Sequence, residues 1–457
     1  MKIGLLPLYI KLYDDIGLDI RGTLEGFYDK IAGMFRDRGF TVLTSGFCRV
    51  RAEFEQAVRA FEGSGADALV TLHLAYSPSL ESLDVLLGTD LPVIVLDTTM
   101  AEEFTQMQDP AMINCCHGIH GVMDMCSMLK QRGKPYAIAA GYYEGSDCVD
   151  RVCGLVRAAA AARSLSRQKV GLIGGSFPGM GDFAVDPLEM RRRFGVIIEN
   201  VDGAALAEIG KEIPDEAVEA EIRSDRQRFD FSDNVDAEEY AMSVKSCLQV
   251  RELIARNGYT AFSVNFLNIS GLVSMPFIEA CKALERGTGY AGEGDGLTAA
   301  FTGALLSAYP ETSFVEIFCP DWKNGTLFLS HMGEMNYRIA DDRPVITRAG
   351  VNFTGGSQPY VGYSRMKSGK GVYVNISRGP EDYELLLASC EMQASGPDRF
   401  GSSMRGWMKP ERLSTAGFLE ALSRNGATHH SSFVYGATVE ELESFGRLLS
   451  MKTVTIR

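Results

Sequence analysis

The residues best suited to chemistry lie between Tyr290 and His331. The run Tyr290-Ala291-Gly292-Glu293-Gly294-Asp295 holds an acid between glycines that leave the backbone open to close approach. Thr312-Ser313-Phe314-Val315-Glu316-Ile317-Phe318 sets a second carboxylate inside an apolar run, and Leu329-Ser330-His331-Met332 adds an imidazole. His429 and His430 follow near the end of the chain. Two carboxylates with two imidazoles make a mixed oxygen and nitrogen donor set suited to Mn²⁺, Co²⁺ or Mg²⁺, with positions left for substrate oxygens. Adjacent strand residues point to opposite faces, so only one of His429 and His430 is expected to turn into such a site.

The elements that must position these groups can be read around them. Asn324-Gly325 predicts a two-residue hairpin, because a type I′ turn needs positive φ at both central residues. A regular ladder from that turn pairs residue 316 with 333 and makes Glu316 and His331 diagonal neighbours on one face, roughly 7 Å apart. Pro320 interrupts the first strand and loosens that register. The competing reading leaves Glu316 pointing to solvent from an edge strand.

The chain has 457 residues, room for roughly two to four domains. Hydrophobic residues at 46% and charged residues at 23% are globular values. A net charge of −14 with no basic run argues against nucleic acid or an anionic membrane surface as partner. No apolar stretch is long enough to span a bilayer, and the start Met1-Lys2-Ile3-Gly4-Leu5-Leu6-Pro7 reads as a strand without a signal peptide's cleavage region. The ten cysteines form no CxxC pair and no disulfide framework, which fits a reducing cytoplasm.

The first third alternates short β-branched runs (Lys2–Leu8, Thr41–Thr44, 68–74, 92–97 and Tyr136–Ala140) with helical patterns such as Leu24, Phe27, Ile31 and Phe35. That alternation predicts a parallel sheet with helices on both faces and ligands at the carboxyl ends of its strands. Tyr76, just after the third strand, offers an aromatic wall with a hydroxyl. Asn114-Cys115-Cys116-His117-Gly118-Ile119-His120-Gly121 enters a helix, where His117 and His120 share a face. A metal pair and a plain helix start both account for that spacing.

A second unit begins at Lys169-Val170-Gly171-Leu172-Ile173-Gly174-Gly175-Ser176. It carries neither GxGxxG nor GxxxxGK[ST], so its glycines read as a turn. From Glu311 strand patterns dominate, at 314–318, Thr326–Ser330, 344–347, 371–376 and 385–389. The expected fold class is α/β, with two doubly wound parallel-sheet domains at 1–168 and 169–310. A β-rich, barrel-like C-terminal domain with terminal helices is expected at 311–457.

Taken in order, these residues resemble the L-arabinose isomerases, within the broader arabinose/fucose isomerase-like group. Ala291-Gly292-Glu293-Gly294-Asp295 matches the family's glutamate loop. Thr312-Ser313-Phe314-Val315-Glu316 matches its second glutamate motif, Ser330-His331-Met332 its histidine motif, and Gly426-Ala427-Thr428-His429-His430 its paired histidines with a threonine inserted. The resemblance implies a metal-dependent aldose–ketose isomerase working through an enediol. Glu293, Glu316, His331 and His430 would hold the divalent ion, usually Mn²⁺, and Glu293 and Glu316 would move the protons. Tyr76, His117, Phe266 and His429 would contact the sugar, in a cytoplasmic homo-oligomer, a trimer or hexamer.

The departures bear on substrate. Gly296 stands where the family has tryptophan, Leu74 where it has a histidine, and no Ser-Gln-His segment occurs near residues 8–12. An epimerase or another enediol reaction on a sugar derivative, or a sugar-binding protein without turnover, are the alternatives.

Overall fold

Six of the seven residues of Lys2–Leu8 are buried, because both faces of the strand are covered. Ile3 and Leu5 pack with Leu24, Phe27, Ile31 and Phe35 of the helix Arg21–Asp37. Leu6 and Leu8 turn the other way, onto Phe54, Val58 and Phe61 of Arg51–Gly63. Each such buried side chain contributes about 2 kcal/mol of hydrophobic stabilisation. The computed structural model describes residues 1–269, 271–350, 352, 356–394 and 396–457. Within it the chain divides into two compact units, 1–163 with 440–450 and 164–439 with 451–457.

The first unit is a parallel sheet in the order Thr41–Thr44, Lys2–Leu8, Ala68–His73, Val93–Asp97, Tyr136–Ala140, as the alternation predicts. The order reverses beside Lys2–Leu8, so the crevice at the carboxyl ends of that strand and Ala68–His73 is where ligands gather in such sheets. Tyr13, Tyr76 and His117 lie on segments that follow or border those ends. Tyr13 Oη is 3.0 Å from His117 Nε2, and Tyr76 Oη donates to Asp124 at 3.4 Å. His117 is the N-cap residue of the helix Gly118–Gln131. Among the described residues it belongs to no group of three metal-ligating side chains. The helix Val439–Leu448 joins this unit, with Glu441 accepting from Arg157 at 2.9 Å.

The second unit combines two layers. A parallel sheet runs Gly289–Gly292, Ala261–Val264, Lys169–Ile173, Ile197–Asn200. Six antiparallel strands close into a barrel: Gly369–Arg378, His430–Tyr435, Thr312–Asp321, Thr326–Ser330, Gly406–Pro410 and Tyr383–Met392, with the last pairing back to the first. Lys452–Thr455 adds in parallel to Tyr383–Met392. The strand expected at 344–347 falls outside the barrel, in a small sheet of Tyr360–Tyr363, Val345–Arg348 and Asp230–Phe231. The helix Gly296–Leu306, buried at all 11 residues, packs against both the parallel sheet and the barrel. Its composition is apolar all round for that reason.

The hairpin differs from expectation. Asp321 pairs with Thr326 across a four-residue connection. Only Gly325 of the Asn324-Gly325 pair takes a positive φ, 69°. The Asp321 carboxylate captures the turn, accepting from the backbone of Lys323 at 3.2 Å and Asn324 at 3.0 Å. A bulge between Ile317 and Cys319 shifts the register again, so Glu316 lies opposite Ser330 and not Gly333. Pro320 is tolerated where its strand pairs on one side, since pairing with His430–Tyr435 stops at Glu316.

Candidate functional site

Register places Glu316 directly across from His430 on the neighbouring barrel strand, and beside Ser330 on the other. Directly opposed side chains share a face, so the carboxylate and this imidazole converge without any loop to aim them. His331 leaves the end of Thr326–Ser330 and brings Nε2 to 3.8 Å from Glu316 Oε2.

Glu293 arrives from the parallel sheet. It follows Gly289–Gly292 in the left-handed region at φ 63°, one of two non-glycine residues so placed among those described. Such a conformation costs about 1–3 kcal/mol and persists only where the surroundings dictate it. Here its N–H donates to Val264 O at 3.1 Å, its own carbonyl accepts from Phe177 N–H at 2.9 Å, and Gly294 N–H donates to Ser263 Oγ at 2.8 Å. The flanking glycines permit close approach as the sequence suggests. A Cβ at 292 would meet His331 Cε1 at 2.6 Å, and one at 294, where φ is +76°, would overlap the Gly175 carbonyl. Gly294→Ala is therefore expected to cost about 3 kcal/mol in urea unfolding. An unchanged midpoint would show that the loop can move aside.

Each of the three histidines turns Nδ1 to a carboxylate. His331 Nδ1 lies 2.7 Å from Glu334 Oε2, which also accepts from Gly333 N–H, while Tyr290 Oη donates to the other Glu334 oxygen at 2.7 Å. His430 Nδ1 lies 3.0 Å from Asp295 Oδ2. The other oxygen of Asp295 accepts from Thr298 N–H at 2.8 Å and caps Gly296–Leu306. His429 Nδ1 lies 2.7 Å from Asp182 Oδ2.

With Nδ1 engaged, Nε2 faces the glutamates. His430 Nε2 is buried without a hydrogen bond and sits 3.4 Å from Glu293 Oε2, as does His429 Nε2. Both adjacent histidines thus reach Glu293, against the expectation that alternation would admit one. The strand begins only at His430, so His429 lies in a bend where alternation does not apply.

The donor atoms form two overlapping groups, Glu293–His429–His430 and Glu316–His331–His430, each within 4.8 Å of one another. Imidazoles pinned by carboxylates, with a free buried Nε2 beside acidic oxygens, fit a divalent ion. Burial raises the Glu316 carboxyl, outweighing the pull of His331 and His430. Burial also acts on Glu293, but the imidazoles of His429, His430 and His331 prevail and hold that carboxyl well below its usual range. For His430, burial opposes the charged form, yet Asp295 and Glu293 lift it to about 9. Unlike environments for paired carboxyl groups are the mark of divided acid and base roles.

Phe266 follows Ala261–Val264 and packs 5.3 Å from Phe177, the residue bonded to Glu293. Tyr76 and His117 belong to the first unit. Sequence reasoning missed three partners. Glu334 was open to discovery, since it stands three residues after His331 in a turn-rich stretch. Asp295 was half-visible as a helix cap with Thr298 three residues on. Asp182, 247 residues from His429, left no trace.

Comparison with known proteins places the chain in a family. Residues 180–308 match the L-arabinose isomerase central domain, and 311–452 the L-arabinose isomerase C-terminal domain, together more than half of the chain. The L-arabinose isomerase of Lactiplantibacillus plantarum is 23% identical over 352 residues, covering 74% of this chain and 73% of its own. That of Bacillus subtilis is 23% identical over 400 residues, covering 85% and 80%. That of Aeromonas salmonicida is 21% identical over 404 residues, with the same coverage. No helix among the described residues is long and apolar enough to cross a membrane. With both family domains matched in order around Glu293, Glu316, His331 and His430, this chain belongs to the L-arabinose isomerase family, whose members are aldose–ketose isomerases.

Proposed function

We propose that the protein is a metal-dependent ketol isomerase acting on a free sugar through an enediol. The observation that carries this reading is the pair of carboxyl groups, Glu293 and Glu316, set on either side of His430 in unlike environments. Glu293, Glu316, His331 and His430 would hold the ion, with Mn²⁺ first and Co²⁺ or Mg²⁺ as substitutes. When bound, it supplies Lewis acidity toward the negative charge that develops on the enediol.

The chain's own groups do the rest. Glu316, its carboxyl raised by burial, carries the proton between C2 and C1, since a base works best with a pKa lifted toward the working pH. Glu293 stays ionised and serves the hydroxyl proton. Asp295 and Glu334 keep the two buried rings turned so that Nε2 faces the acids. Tyr76, His117, Phe266 and His429 are the proposed sugar contacts. A cytoplasmic homo-oligomer, trimer or hexamer, completes the reading.

The test is metal-stripped protein reloaded with Mn²⁺ and incubated with aldopentoses, deoxyhexoses and hexoses in D₂O, read by NMR. Ketose with deuterium at C1, or recovered aldose with deuterium at C2, is expected from one sugar class, and chelator should abolish it. Full turnover by metal-free protein would sink the metal role. No exchange with any sugar, Mn²⁺ being bound, would sink the isomerase.

A further inference from the structure

His429 is held unlike the other two imidazoles. His430 stacks on Phe183, with ring centres 5.0 Å apart and planes within 5°, and His331 and His430 both meet the Phe314 ring edge-on. Their carboxylate partners, Glu334 and Asp295, are sealed from solvent. Packing alone would keep those rings in place. His429 lies before the strand, its side chain 35% exposed, and Phe183 meets it only at a tilt of 50°.

Beside His429 lies a cavity of about 300 Å³, lined by Ile317, Tyr373, Leu419 and Leu422, with Asp182 and His429 themselves in its wall. The ring therefore has space to turn into. Besides the neighbouring His430 ring, whose centre lies 4.3 Å away, what opposes that turn is Asp182: one of its oxygens takes both the backbone N–H of His429, at 2.9 Å, and Nδ1, at 2.7 Å. Two bonds from one residue to one oxygen fix the side chain relative to its own backbone. On the opposite edge, Nε2 meets Glu293 at 3.4 Å, too long to hold the ring alone.

We propose that Asp182 is a positioning residue for the isomerase reaction, holding His429 so that Nε2 faces Glu293 and the substrate and not the cavity. The proposal rests on the isomerase reading above. It assigns Asp182 a task apart from that of Asp295 and Glu334, which hold the rings proposed to grip the ion. Outer partners of this kind typically affect activity by about 10- to 100-fold.

The experiment compares D182N, D182A, H429N and the double variant D182N/H429N, all loaded with Mn²⁺. D182N and D182A should lower kcat about 10- to 100-fold, D182N the less because it keeps an acceptor oxygen. The Mn²⁺ dissociation constant should stay within about threefold of the parent. Adding D182N to H429N should cost nothing further, since the two act as one unit. Crystal structures of the parent and D182A give a readout independent of turnover, with the His429 ring expected against Glu293 in the first and turned toward the cavity in the second. A ring that stays in place in D182A, additive losses in the double variant, or an Mn²⁺ affinity that falls as far as kcat would each overturn the proposal. If the parent turns over no sugar, the isomerase reading fails, and the ring's position in D182A still decides what Asp182 holds.

Discussion

Glutamine at position 316 is expected to lower kcat about a thousandfold, the scale of a lost general acid–base group, while sugar binding changes by less than about tenfold. The substitution keeps shape and removes only the proton-carrying function, and the strand pairs on both sides of residue 316 hold it where it was. Stability should move the other way. Folding raises this carboxyl's pKa, so its charged form is disfavoured in the native state, and stability falls as pH rises through that value. Glutamine removes that cost, and Tm at neutral pH should hold or rise. Deuterium exchange and a thermal melt on the same sample read both effects. Exchange within tenfold of the parent would move the C2 proton to Glu293.

His430→Ala should produce the largest combined loss. His430 is the one residue common to both donor groups, so Mn²⁺ affinity should fall at least about a hundredfold. The same change strands Asp295, which is fully buried, without its imidazole, and an unpaired buried charge costs about 3–5 kcal/mol. His429→Ala, at a half-exposed position, should leave the metal in place and shift urea unfolding little. Titration calorimetry and unfolding curves separate the two variants, and the reverse order would show that the wrong histidine carries the ion. Metal affinity should also climb by about tenfold per pH unit up to about 9, because His430 stays protonated to that value and the proton must leave before Nε2 can bind.

Much of this was legible in the chain, for physical reasons that also mark where reading stops. The inner strands Lys2–Leu8 and Val93–Asp97 show because two-sided burial demands apolar runs, and the edge strands Thr41–Thr44 and Tyr136–Ala140 because they fall between helical patterns. Glu293 stands out because its neighbours had to be glycine. The hairpin register did not show, because one side chain, Asp321, and one bulge moved every pairing beyond them. Gly406–Pro410, with a lysine and a closing proline, and Lys452–Thr455, with a single apolar residue, carry no strand pattern, and each is held by neighbours far along the chain. The same holds for the site. The glutamates and histidines lie in motifs, but two of the three carboxylates that aim the rings are joined to them only by folding, as with Asp295 and His430, 135 residues apart.

The two oxygens of Asp295 serve different masters, one the first turn of Gly296–Leu306 and the other the ring of His430. That helix is wedged inside the second unit, so a change that alters the His430 ring also disturbs the seam between sheet and barrel. A catalytic centre of the kind proposed would therefore be inherited as a block with the fold and resist piecemeal drift. Under that proposal, novelty in sugar preference enters at the rim, through solvent-facing positions such as Phe318, whose exchange leaves that seam intact.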